Sequence, residues 1–113
     1  MKQPSPALTA AEFQVLVALA DGEKHGYAIG KEIAARTDGQ VQLRAATLYT
    51  VIKRLLENDF IDENAPRPDP ELDDERRRYY RLTPRGRRAA EGEARRLEAT
   101  AKQARTKLRL RKA

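Results

Sequence analysis

The chain has 113 residues, 40% of them hydrophobic and 35% charged, with a formal net charge of +6 and no cysteine. That length holds one domain, or a small domain plus one extended helix, and the missing cysteine removes disulfides, thiolate metal ligands and a thiol nucleophile together. No apolar run approaches the roughly 20 residues of a membrane span, and Met1 to Pro6 lacks the apolar core of a signal peptide, so the protein is expected to be cytoplasmic and to have no membrane partner.

Pro4 and Pro6 make a stiff, non-helical lead-in. Thr9 followed by Glu12 is a capping box that starts a first helix. Phe13, Leu16, Val17 and Ala20 then recur at i, i+3, i+4 and i+7, one apolar stripe, and Asp21-Gly22 ends it. A second helix is predicted from Tyr27 to Arg36 on the stripe Ile29, Ile33 and Ala34, stopped by Asp38-Gly39; Tyr27 is expected to pack between helices. Val41 to Leu43 reads as a brief extended link. The third helix runs from Ala45 to Asn58, with Leu48, Ile52, Leu55 and Leu56 on one side and Thr47, Thr50, Lys53 and Arg54 on or near the other.

Phe60-Ile61 can begin a strand. Residues 62–75 hold three prolines and seven acids, a composition that reads as loop throughout. Arg77 to Leu82 has strand character, so two short strands joined by a long loop form a β-hairpin of the winged type. Tyr79 and Tyr80 occupy adjacent strand positions and must face opposite sides. Thr83 as N-cap and Pro84 at the first helical position open a last helix that continues to about Leu110. Along it Ala90, Ala94, Leu97, Ala101, Ala104 and Leu108 are spaced 4, 3, 4, 3, 4, a heptad-like seam suited to a second copy of the chain.

The fold expected is mainly α with a small β-hairpin: a winged helix-turn-helix over residues 1–82, then a dimerisation helix over 83–113. Charge is polarised along this plan. Residues 76–113 hold fifteen basic and three acidic residues, a formal +12, whereas residues 1–75 hold eight basic and fourteen acidic, a formal −6. Concentrated arginine beside compact helices is the footprint of a phosphate-backbone binder. In a helix-turn-helix the second member enters the major groove, here the helix from Ala45 to Asn58. Thr47, Thr50 and Lys53 are the candidates for the groove, and Tyr49, Arg54, Arg76, Arg77 and Arg78 for phosphates. A lone histidine, His25, without cysteine partners is not a metal site. No pair of carboxylates sits in an apolar context, which argues against an enzyme, and no cofactor is expected. A basic RNA-binding or ribosome-associated protein, or a winged helix used for protein–protein contact, are the alternatives on composition alone.

The segments LTAAEFQVLVALADGEKHGYAIGKEI, TLYTVIKRLLENDFI and RRRYYRLTPRGRR, in this order and spacing, resemble the PadR family of bacterial winged-helix transcriptional regulators over roughly residues 8 to 88. His25-Gly26-Tyr27, Thr47-Leu48-Tyr49 and the run from Arg77 to Gly86 are the most specific parts. The short C-terminus resembles the small subclass, with a single C-terminal helix. The resemblance implies a homodimer built through those helices and a palindromic double-stranded DNA operator, usually repressed, and it makes His25 structural. Small-subclass members can take planar drugs between these helices. This chain has no aromatic after Tyr80, so a small-molecule effector stays unassigned. Where the family usually has glycine before the motif threonine and before the wing, this chain has Ala46 and Asp59. Asp59 is therefore expected to adopt a glycine-like backbone at a cost of about 1 kcal/mol.

Overall fold

A computed structural model describes residues 7–64 and 78–112 of the chain. Helix α1 spans Ala10–Ala18, strand β1 Lys24–His25, helix α2 Gly26–Arg36, helix α3 Ala45–Glu57, strands β2 and β3 Ile61–Asn64 and Tyr79–Leu82, and helix α4 Pro84–Lys112. The fold is mainly helical with one small antiparallel sheet, as expected, but the sheet has three strands in the order β1-β3-β2. Lys24 pairs with Tyr80 and His25 with Tyr79, while Ile61 to Asn64 pair with Leu82 to Tyr79 in the usual antiparallel register. Two residues give too short a pattern for alternation to announce β1.

Two boundaries also differ from the sequence reading. Asp62, Glu63 and Asn64 belong to β2 rather than to the acidic loop, because their pairing with β3 supplies partners for backbone groups that a loop would leave to water. The expected strand 77–82 begins at Tyr79, with Arg78 before it; the candidates Arg76 and Arg77 lie outside the described residues, as does the acidic stretch beyond Asn64.

Local chemistry explains how each helix starts and stops. Thr9 caps α1 through a full capping box: its hydroxyl accepts from Glu12 N at 3.1 Å, and Glu12 Oε1 accepts from Thr9 N at 2.8 Å. His25 caps α2, its Nδ1 accepting from Ala28 N at 3.2 Å. Helices α2 and α3 end in the same paired-bond motif. Gly39 N reaches Ala34 O and Asp38 N reaches Ala35 O; likewise Phe60 N reaches Leu55 O and Asp59 N reaches Leu56 O. Each motif needs one left-handed residue, and Asp38 (φ 52°) and Asp59 (φ 59°) supply it. The expected glycine-like backbone at Asp59 is present.

The core gathers Val15, Leu16 and Leu19 of the α1 region, Ile29 and Ile33 of α2, Leu48, Val51, Ile52 and Leu55 of α3, and Phe60, Ile61 and Tyr80 beneath the sheet. The stripe read for α1 is only half right. Leu16 is buried, but Phe13 and Val17 are half-buried and Ala20 is exposed, while Val15 and Leu19 take the interior. The segment is apolar on two sides, and the second side turns toward α4. In α3 Val51 is interior and Leu56 half-buried, a rotation of the stripe by one position.

α4 is fixed to the end of α3 by three successive carbonyls. Asn58 O accepts from Arg85 Nε at 3.0 Å, Asp59 O from Thr83 Oγ1 at 2.6 Å, and Phe60 O from Thr83 N at 3.1 Å. Thr83 Oγ1 also accepts from Gly86 N at 2.9 Å, capping the helix. Arg87 donates to Ala20 O at 3.2 Å, which draws α4 across α1. No helix among the described residues is long and apolar enough to cross a membrane.

Candidate nucleic-acid interface

Helix α3 divides cleanly into two faces. Leu48, Val51, Ile52 and Leu55 are buried, whereas Ala46, Thr47, Thr50, Lys53 and Arg54 are exposed. The small residues in its first turn leave the backbone approachable. Thr50 Oγ1 donates back to Ala46 O at 2.9 Å, which leaves the hydroxyl's acceptor side outward. Arg44 stands exposed at the N-cap position with no side-chain cap bond. It lies just before the helix, outside the apolar period that marks the rest of this face in the sequence.

Tyr49 is half-buried and leans on the start of α2. A Cβ built on Gly26 would lie 2.7 Å from Tyr49 Oη and 3.0 Å from Cζ. Only glycine allows that approach, so the His25-Gly26-Tyr27 and Thr47-Leu48-Tyr49 motifs are two halves of one contact. Tyr27, expected between helices, is instead 59% exposed. Its neighbours Ala28 and Ile29 turn inward, and the ring lies outside α2.

Basic side chains fall into two groups. Some are already matched by carboxylates. Lys24 bonds Asp21 and Ala18 O and lies 3.5 Å from Glu32; Arg36 pairs with Glu32 at 2.7 Å and bonds Gln14 on α1. The Lys24 hydrogen bond and charge hold the Asp21 carboxyl below its ordinary value. Burial works against the Lys24 charge, yet Asp21 and Glu32 outweigh it and raise the ammonium above its usual range. On the wing, Arg78 lies 3.8 Å from Glu63 and Arg81 lies 3.7 Å from Asp62, so two carboxylates offset two guanidiniums there. By contrast Lys31, Arg44, Lys53 and Arg54 have no carboxylate partner among the described residues. Among the described residues before α4, the cations without a carboxylate partner therefore lie on α2, on α3 and at the N-cap of α3.

Tyr80 is the buried member of the wing pair, 2% exposed, and Tyr79 faces the other side against His25, with ring centroids 5.4 Å apart. Of the seam on α4, Ala90 and Ala94 are half-buried and line an apolar groove of about 170 Å³ with Phe13, Val17 and Leu82. Leu97, Ala101, Ala104 and Leu108 extend past the domain, with Leu97 48% and Leu108 60% exposed. Among the described residues no group of three or more His, Asp or Glu is placed to hold a metal.

Three helices, a paired wing and a projecting last helix define a winged helix-turn-helix protein. Residues 15–92 match the Transcriptional regulator PadR-like family, and the chain belongs to that family, one of transcription regulators rather than enzymes. A transcriptional regulator from Clostridium thermocellum has 29% identity and a TM-score of 0.70, covering 85% of this chain and 87% of that one. Bacillus subtilis PadR in complex with operator DNA has 20% identity and a TM-score of 0.65 over 74% of this chain and 46% of that one, a likeness of fold. An uncharacterized protein from Lysinibacillus sphaericus is 36% identical over 72 residues, 64% of this chain, and the match spans 63% of that relative's length.

Proposed function

We propose that the chain is a sequence-specific repressor that binds a palindromic double-stranded DNA operator as a homodimer in the cytoplasm. The observation that carries this is the outer face of α3, where Thr47, Thr50, Lys53 and Arg54 are all exposed and both cations lack carboxylate partners among the described residues. Thr47, Thr50 and Lys53 reach base edges in the major groove; Arg54, Tyr49 and the arginines 76–78 hold phosphates. The fold neighbour from Bacillus subtilis bound to operator DNA supports this use of the fold.

Residues 83–113 join two subunits. The exposed Leu97 and Leu108 and the small Ala101 and Ala104 between them support a helix-to-helix seam that continues the Ala90–Ala94 groove. Two copies of α3 then meet successive major grooves about 10 bp apart, or a multiple of that. A salt titration of binding to the chain's own promoter tests the reading. Eight phosphate contacts per dimer give a log K against log salt slope near −7, and a slope near zero refutes it. Thr47→Ala alters sequence preference, whereas loss of Arg54 weakens all sequences alike. Leu97→Glu yields monomers by light scattering; an intact dimer places the seam elsewhere.

A further inference from the structure

We propose that Tyr27 and Lys31 on α2 form a second phosphate contact, gripping the DNA backbone beside the groove that α3 enters. The proposal rests on the DNA-binding reading above and adds two residues to it.

Tyr27 is exposed yet held in place. Its ring lies nearly parallel to the His25 imidazole, 16° between planes and 6.5 Å between centroids. His25 is itself fixed twice, as the N-cap of α2 and edge-on to Tyr79. One turn further along α2, Lys31 Nζ sits 5.3 Å from the Tyr27 ring centroid, within cation–π range. A phenol hydroxyl and an ammonium are thus presented together, and little rotamer freedom is left to lose when an anion arrives. The other cation of this helix, Arg36, is engaged by Glu32, which also draws Lys24 of β1. Lys31 has no carboxylate partner among the described residues, so its charge stays available.

The position decides what anion this is. Gly26, next to Tyr27, abuts the Tyr49 hydroxyl, and Tyr49 lies in the first turns of α3 between Thr47 and Thr50. An element packed against the entry end of a helix in a groove about 12 Å wide lies over the sugar–phosphate strand at its edge. In a helix-turn-helix the first member of the pair crosses that backbone, and here the first member is α2. A donor and a cation at this place meet a phosphate, a contact that fixes register without reading sequence.

The experiment is fluorescence anisotropy of the full chain with a labelled mixed-sequence duplex of about three helical turns (~30 bp), titrated from about 50 to about 200 mM salt. Lys31→Gln is expected to weaken binding to unrelated sequences equally and to make the salt slope less negative by about 1 for each subunit bound. Lys31→Arg restores the slope. Tyr27→Phe keeps the ring stack and weakens binding at fixed salt while leaving the slope unchanged. Thermal melting by circular dichroism verifies that each variant folds, as expected for substitutions at exposed positions. A Lys31→Gln slope equal to that of the parent protein overturns the proposal. If Arg54→Gln makes the slope less negative in the same assay and Lys31→Gln does not, α3 binds DNA and only this contact is wrong. If the parent protein binds no duplex, both readings fall together.

Discussion

Gly86→Ala should destabilise the protein although it places a better helix former inside a helix. A Cβ on Gly86 would sit 1.9 Å from the carbonyl oxygen of Phe60 and 2.8 Å from its carbon. Relief requires a shift of more than about 1 Å, given ordinary C···O contacts near 3.3 Å. The carbonyl cannot withdraw cheaply. It accepts from Thr83 N, the neighbouring Asp59 and Asn58 carbonyls are held by Thr83 and Arg85, and the Phe60 side chain is core. Losing that hydrogen bond costs about 1 kcal/mol, stranding its buried groups about 1–3 kcal/mol, and overpacking about 1–3 kcal/mol. The alanine preference returns only about 1 kcal/mol. The net loss is about 2–6 kcal/mol, a large part of the roughly 5–15 kcal/mol that holds a domain folded. Urea unfolding at fixed protein concentration should show a midpoint lower by about 1 M or more. Gly92→Ala is the internal control: its Cβ would meet only the end of Arg96 at 3.5 Å, so it should raise stability by about 0.5–1 kcal/mol. A Gly86→Ala midpoint equal to or above that of the parent refutes the account of this joint.

Gly26→Ala should cost about 1–3 kcal/mol through overpacking. Combined with Tyr49→Phe, which removes the atom closest to the new methyl group, the loss should be smaller than the sum by at least about 0.5 kcal/mol; additive losses in denaturant would mean that the two residues do not press on each other. Asp59→Gly should stabilise by about 0.5–1 kcal/mol, since the left-handed backbone at φ 59° is retained without a Cβ, and a lower melting temperature would contradict this. Asp21, with its carboxyl lowered by Lys24, contributes stability that is complete above the ordinary carboxylate value and fades as pH falls through the lowered one. Asp21→Asn should therefore flatten the acid side of a melting-temperature profile, and an unchanged profile would show that the pair adds nothing.

The helices were legible because caps and apolar spacing agree at each end. Thr9 with Glu12, and Thr83 before Pro84, mark helix starts that the structure keeps. Burial phase was less legible. In α1 nearly every position is apolar, so spacing could not say that Val15 and Leu19 turn inward while Phe13 and Val17 turn to α4. The wing was half visible: Tyr79 and Tyr80 had to oppose each other, but only the pairing of β3 with β1 buries Tyr80 and sets Tyr79 against His25. The outward threonines and cations of α3 followed from its strong apolar face. Tyr27 did not follow, because an aromatic residue in a helix reads as core unless a neighbouring ring and a lysine hold it outside. What sets Arg44 and Lys31 apart is the lack of a carboxylate partner among the described residues, and a linear chain does not display who pairs with whom.

The three carbonyls at Asn58, Asp59 and Phe60, each taken by a donor from the start of α4, leave no slack between α3 and the tail. α4 has 29 residues and so is about 43 Å long. As a rigid lever, a tilt of about 5° at its root carries the far end nearly 4 Å. In the dimer proposed above, with two such levers yoked together, their crossing angle would set the distance between the two copies of α3, and a small torque at the far ends would be geared directly into that spacing.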